Sequence, residues 1–96
     1  MDGVFLIYNR SIDTEVIKFL DENNIRGYTK WIDVQGSGGK GPHLGNNVWP
    51  SLNNMLFIAI ETKSVKKKFQ DMVKKIKKDH PEEGVQCFSF KLTGIV

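Results

Sequence analysis

An α+β domain of order β-α-β-β-α-β is predicted by three observations. Residues 3–8 (GVFLIY) and 55–60 (MLFIAI) are apolar at every position and too short for helices, so they read as strands buried on both faces. Residues 12–20 and 65–76 instead carry the 3.6-residue stripe of amphipathic helices. Residues 28–35 and 85–92 alternate as strands do.

The elements follow in chain order. After the first strand, Asn9, Arg10 and Ser11 break the run, and Ile12, Val16 and Leu20 with Ile17 and Phe19 form the first helical stripe. Ser11 is the expected N-cap, with Asp13 and Glu15 favourably placed in the first turn. Asn24, Arg26 and Gly27 stop that helix near Asn23 or Asn24. The second strand, residues 28–35 (YTKWIDVQ), sets Tyr28, Lys30, Ile32 and Val34 against Thr29, Trp31, Asp33 and Gln35. Residues 55–60 make the third. Ser64 is the expected cap of a second helix, in which Val65, Phe69, Met72, Val73 and Ile76 share an arc of about 100° and lysines cover the rest. His80-Pro81 closes it. Gly84 releases the last strand, residues 85–92 (VQCFSFKL), with Phe88, Phe90 and Leu92 on one face beside Gln86, and Val85 and Cys87 on the other.

Right-handed crossovers place both helices on one face of a four-stranded antiparallel sheet, which is the ferredoxin-like arrangement. The opposite sheet face then has no cover from its own chain, although two strands are apolar on both sides. Each large side chain there gains roughly 1.5 to 3 kcal/mol on burial, so a homo-oligomer packed sheet to sheet is expected.

Composition narrows the function classes. The 96 residues bound a single domain, 1–96. The net charge of +3 is a patch rather than an average: residues 63–78 hold eight lysines against Asp71, or +7, which leaves −4 elsewhere. Cys87 is the sole cysteine, residues 3–8 are too few and too poorly flanked for a signal peptide, and no run suits a spanning helix. A cytoplasmic, non-spanning protein is expected.

The working part of the chain is expected at residues 34–50, where five glycines, two prolines, Lys40 and His43 lie between strands. Loops of this length are usually functional or disordered. The 36–54 loop is no P-loop, because Gly39-Lys40 is followed by Gly41 and no glycine stands at 34. It is no dinucleotide fingerprint either, since no helix follows. It offers backbone amides, Lys40 as a point charge and His43 as a hydrogen-bonding or metal group. Trp31 and Trp49 flank it as walls or packing anchors.

The other candidates are weaker. The lysine face of the second helix lacks interleaved arginine or aromatic residues, so it reads as solvated and no nucleic-acid partner is expected. Lys63, Lys66 and Lys67 crowd the helix N-terminus, where an anion would relieve them. His43, Cys87 and His80 show no ligand spacing, which leaves His43 as one ligand of a metal site shared between subunits. Ser37 has no evident base and the carboxylates are scattered, so no catalytic residues are assigned and no enzyme is expected.

Residues 27–41, from Gly27-Tyr28-Thr29 to Val34-Gln35-Gly36-Ser37-Gly38-Gly39-Lys40-Gly41, resemble the PII signalling proteins, whose second strand runs G-hydrophobic-T to V-x-G-x-G before a basic, glycine-containing loop. Ile12-Asp13 with Val16 looks like the start of that family's first helix. The resemblance implies a homotrimer with its sheets facing inward, a small ligand in the clefts between subunits, and a loop that docks on a regulated protein such as a membrane transporter.

Carried onto this sequence, it implies ligand binding by Gln35, Gly36, Gly38, Gly39, Lys40 and Gly41, and partner contact by His43, Leu44, Val48 and Trp49. Adenine nucleotides are the family's usual ligand. The sequence departs in three places: the strand is one residue longer, no tyrosine lies between Gly36 and Met55, and residues 79–85 (DHPEEGV) stand where well-studied members carry lysines and glycines that grip phosphates. A divergent PII-like sensor of a small anionic ligand is therefore expected. The alternatives are a CutA-like trimer binding a divalent metal through His43, and an enzyme with a site at the subunit interface.

Overall fold

The computed structural model describes residues 1–38, 41–43 and 52–96. The elements are β1 (Asp2–Asn9), a 3-10 turn (Arg10–Ile12), α1 (Asp13–Glu22), β2 (Tyr28–Val34), β3 (Gly36–Gly38), β4 (Gly41–His43), β5 (Asn53–Ile60), α2 (Lys63–Asp79) and β6 (Val85–Lys91). Four strands form one antiparallel sheet in the order β2-β5-β1-β6. This is the expected ferredoxin-like α+β arrangement. β1 lies inside it because its run of Val, Phe, Leu and Ile has a pairing partner on either side. No helix among the described residues is long and apolar enough to cross a membrane.

One sheet face holds the core. Val4, Leu6 and Tyr8 of β1 alternate onto it with Leu56, Ile58 and Ile60 of β5, and all six are buried. Val16 and Leu20 of α1 and Phe69, Val73 and Ile76 of α2 complete the cluster, so both helices cover this one face. Phe19 meets Phe69 edge to ring at 5.1 Å, joining the helices to each other.

The other face is apolar and uncovered. The register sets Thr29, Phe57, Phe5 and Phe88 in one cross-strand row and Trp31, Met55, Ile7 and Gln86 in the next. Phe5 lies 5.1 Å from Phe57 and 5.6 Å from Phe90, ring centre to ring centre. Gly3 makes room for this group: a Cβ there would come within 2.7 Å of the Phe90 ring. Phe88 nevertheless stays 53% exposed, Trp31 41% and Phe90 40%. Among the described residues, the two-sided apolar strands thus have a cover on one side only.

Both helix caps differ from expectation. The Asn9 side chain, not Ser11, makes the first cap, accepting the Ser11 N–H at 2.9 Å. A short Asn side chain at an extended position reaches the amide two residues on, and this starts a 3-10 turn ahead of α1. Thr62 caps α2 in place of Ser64, its hydroxyl accepting from the Val65 N–H at 3.3 Å. Thr62 is extended (φ −118°, ψ 147°) whereas Lys63 is already helical, so Ser64 falls inside the first turn. The stops fall as expected: Asn23 ends α1, Asn24 is left-handed at φ 56°, and α2 closes at His80.

The long loop is also partly corrected. β5 begins at Asn53, because Asn53 still pairs with Val34. β3 and β4 form a two-stranded ribbon, with Gly36 opposite His43, Ser37 opposite Pro42 and Gly38 opposite Gly41. Backbone pairing therefore continues into the root of the 36–54 segment.

Candidate functional site

The root of the ribbon is tied to the core by a partly buried polar network. Tyr8, fully buried in β1, donates its hydroxyl to Asp13 Oδ1 at 2.6 Å. Asn54 Nδ2 donates to the same oxygen at 3.1 Å, and Lys30 Nζ approaches the carboxylate at 2.8 Å. Four elements thus converge on one carboxylate at the first turn of α1. Burial opposes ionisation of Asp13, but the hydrogen bonds from Lys30, Tyr8 and Asn54 outweigh it and hold the carboxyl below the usual aspartate range. Burial, and then the contact with Asp13, pushes the Tyr8 phenol up.

The network then reaches the loop. The other end of the Asn54 amide, Oδ1, accepts the Asp33 N–H at 3.1 Å. Asp33 is left-handed at φ 57°, and the β2–β5 register breaks between Trp31 and Val34. A non-glycine residue in that region costs free energy and persists where its surroundings hold it. Asn54 holds the Asp33 amide, and Arg10 holds its carboxylate at 3.2 Å. The strict alternation expected through Gln35 therefore ends at this bulge, which re-aims the chain into the ribbon.

Beside the bulge, the uncovered sheet face ends in a depression of ≈ 510 Å³. Ile7, Met55 and Phe88 supply its apolar wall, and Asn9, Gln35, Asn53 and Gln86 its polar groups. Gly36 lies so near Asn53 that a Cβ on it would sit 3.1 Å from the Asn53 amide nitrogen. Among the described residues, none of the side chains lining the depression is titratable. Its described side chains offer amide donors and acceptors to a small polar ligand.

The expected site residues divide into three groups. Gln35 and Gly36 line the depression. Gly38, Gly41 and His43 lie in the ribbon that rises from it, placed there by their backbones. Gly39, Lys40, Leu44, Val48 and Trp49 lie outside the described residues. The bulge and its polar network were missed. Their signal was present: Lys30 falls on the core-facing side of an alternating strand, where a lysine needs a buried acid.

The other sequence candidates are accounted for separately. His80 Nε2 lies 2.9 Å from Glu15 Oε1, linking the end of α2 to α1. Cys87 is half-buried against the core, and burial pushes its thiol up, away from the reactive thiolate. Among the described residues no three His, Cys, Asp or Glu side chains are grouped to hold a metal ion. A second groove, of ≈ 610 Å³, runs between the helices and is lined by Phe19, Met72 and Ile76 among others.

No protein-family model matches the sequence, and no curated protein matches it. Solved structures do. The chain is similar to CPII, a nitrogen regulatory PII-like protein from Thiomonas intermedia K12 bound to ADP, AMP and bicarbonate, at TM-score 0.65 and 14% identity, over 92% of this chain and 86% of that one. A second structure of CPII, bound to ADP and bicarbonate, superposes at TM-score 0.66 and 15% identity, covering 93% and 82%. A candidate PII-like signaling protein from Thermus thermophilus superposes at TM-score 0.57 and 11% identity, covering 93% and 83%. The fold is thus that of divergent PII-like proteins.

Proposed function

We propose that this chain is a PII-like regulatory module that binds a small ligand, an adenine nucleotide or another small anion, at clefts between the subunits of a homotrimer. The observation that carries the reading is the position of the depression. It opens onto the uncovered apolar face at the root of the glycine ribbon, so a second copy packed on that face walls it. The CPII structures, which share this fold, hold ADP, AMP or bicarbonate, and this supports a ligand of the same class.

The described side chains lining the depression are neutral, so the countercharge for a phosphate falls to Lys40, or to a neighbouring subunit. Gln35, Gly36, Gly38, Gly39 and Gly41 supply amides around it. The segment with His43, Leu44, Val48 and Trp49 then contacts a regulated protein, for which a membrane transporter fits the family pattern. Ligand occupancy alters the ribbon through Gln35 and Gly36, and the partner reads the ribbon.

Calorimetry with ADP, AMP, ATP and bicarbonate tests the reading. Binding of at least one, weakened about tenfold or more in Lys40→Ala by loss of one charge-assisted contact, is expected. No heat with any of the four removes this ligand class. Light scattering is expected to return the mass of three chains, and a single-chain mass removes the cleft.

A further inference from the structure

The outer face of α2 has no role in the ligand site, yet it concentrates the charge of the molecule. Lys63, Lys67, Lys74, Lys77 and Lys78 recur at intervals of about one or two turns and share an arc of roughly 100° running about 22 Å along the helix. Gln70 continues that arc, and Phe69, Val73 and Ile76 occupy the buried one. The face is therefore a basic ridge, interrupted at Gln70 and edged by Asp71.

The ridge is costly to the isolated chain. Lys63 with Lys67 and Lys74 with Lys78 are like-charge pairs four residues apart, which destabilise a helix. The first turn carries no acid to match the helix dipole. Internal pairing does little to relieve this. Lys66 binds Asp2 at 2.9 Å, Lys67 stands 3.9 Å from Asp71, and Lys63, Lys68, Lys74, Lys75, Lys77 and Lys78 enter no ion pair with a described residue. Of the eleven acidic residues in the chain, Asp71 and Asp79 lie on α2 itself and the other nine lie elsewhere.

We propose that this ridge is an electrostatic docking surface for an anionic lipid bilayer. Three features select that occupant. The charges are all lysine, which acts as a compact point charge and lacks the planar fork that selects individual phosphate or carboxylate groups. The surface is a straight convex ridge, which meets a plane along its length, whereas single strands are held in basic grooves furnished with aromatic platforms. The ridge has no apolar side chain to insert, so contact is with headgroups alone, in the manner of polybasic segments beside acidic leaflets. Bilayer contact would hold the molecule beside a membrane without a spanning helix.

Vesicle flotation with the full chain tests this. Vesicles containing phosphatidylserine are expected to carry the protein at about 0.05 M salt and release it at about 0.5 M, where screening is short-ranged. Pure phosphatidylcholine vesicles are expected to carry none. The exposed triple variant K63Q/K74Q/K78Q is expected to weaken partitioning about a hundredfold and K74Q alone about fivefold. Lys18→Gln, on α1, should leave it unchanged. Equal partition onto phosphatidylcholine, no binding at low salt, or full binding by a folded triple variant would overturn the proposal. So would a DNA duplex that strips the protein from the vesicles, since it assigns the ridge to nucleic acid.

Discussion

The two faces of the sheet are built from the same strands and end in opposite conditions. Toward the helices, Leu6 and Leu56 face each other fully buried. One pleat away, Phe5 and Phe57 also face each other, in aromatic contact, beside a Phe88 ring that is half in water. Alternation alone decides which side chain goes where, and hydrophobicity does not distinguish the sides. What differs is the supply of cover: α1 and α2 provide one layer, and no described element provides a second. The first face carries the stability of the monomer, and the second is the face on which the proposed association rests.

The comparison breaks most sharply at Leu6. Leu6→Ala is expected to cost about 2–5 kcal/mol, because it removes buried methyl groups and leaves a cavity between β1 and the helices; urea unfolding measures it. Phe57→Asp on the other face should leave the far-UV circular dichroism spectrum intact while reducing the mass in sedimentation to one chain. A variant that stays associated would show that this face is not the contact.

Asp13→Asn tests the polar end of the covered face. It is expected to cost about 1–3 kcal/mol, since it removes the charge that pairs with Lys30 and serves the Tyr8 and Asn54 donors. The sign of its pH dependence follows from the lowered Asp13 pKa. The stabilisation is fully present above the unfolded pKa and is lost as pH falls through the folded one, so the gap between wild type and variant should close below about pH 4. A constant gap down to acid pH would mean that the carboxylate charge contributes nothing. The smallest effect belongs to Thr62→Ala, about 1 kcal/mol or less given the 3.3 Å cap, and visible as a shift in thermal midpoint.

Much of this fold was legible because its signals are periodic. GVFLIY and MLFIAI could be read as doubly apolar strands, and Val16, Leu20, Phe69, Val73 and Ile76 as helix stripes, without knowing their partners. The caps were not legible, because Asn9 and Ser11, or Thr62 and Ser64, are equally good acceptors and backbone dihedrals choose between them. The Asp33 bulge was hidden for another reason: it exists through Asn54 and Arg10, contacts distant in sequence. The candidate site was legible to its rim, at Gln35 and Gly36. Its floor escaped because β1, β5 and β6 contribute Asn9, Asn53 and Gln86 from three separate stretches.

The central place of β1 also governs the order in which the molecule can be made. β1 pairs with β5 and β6, whose residues follow it by roughly half and nearly all of the chain. A strand synthesised before both of its partners must wait for them, and such long-range pairing slows folding. During that wait its apolar residues have only α1 for shelter, and exposed strand edges of this kind invite misassembly. Moving β1 to the far end by circular permutation would place it directly after β6, shortening one of the two closures.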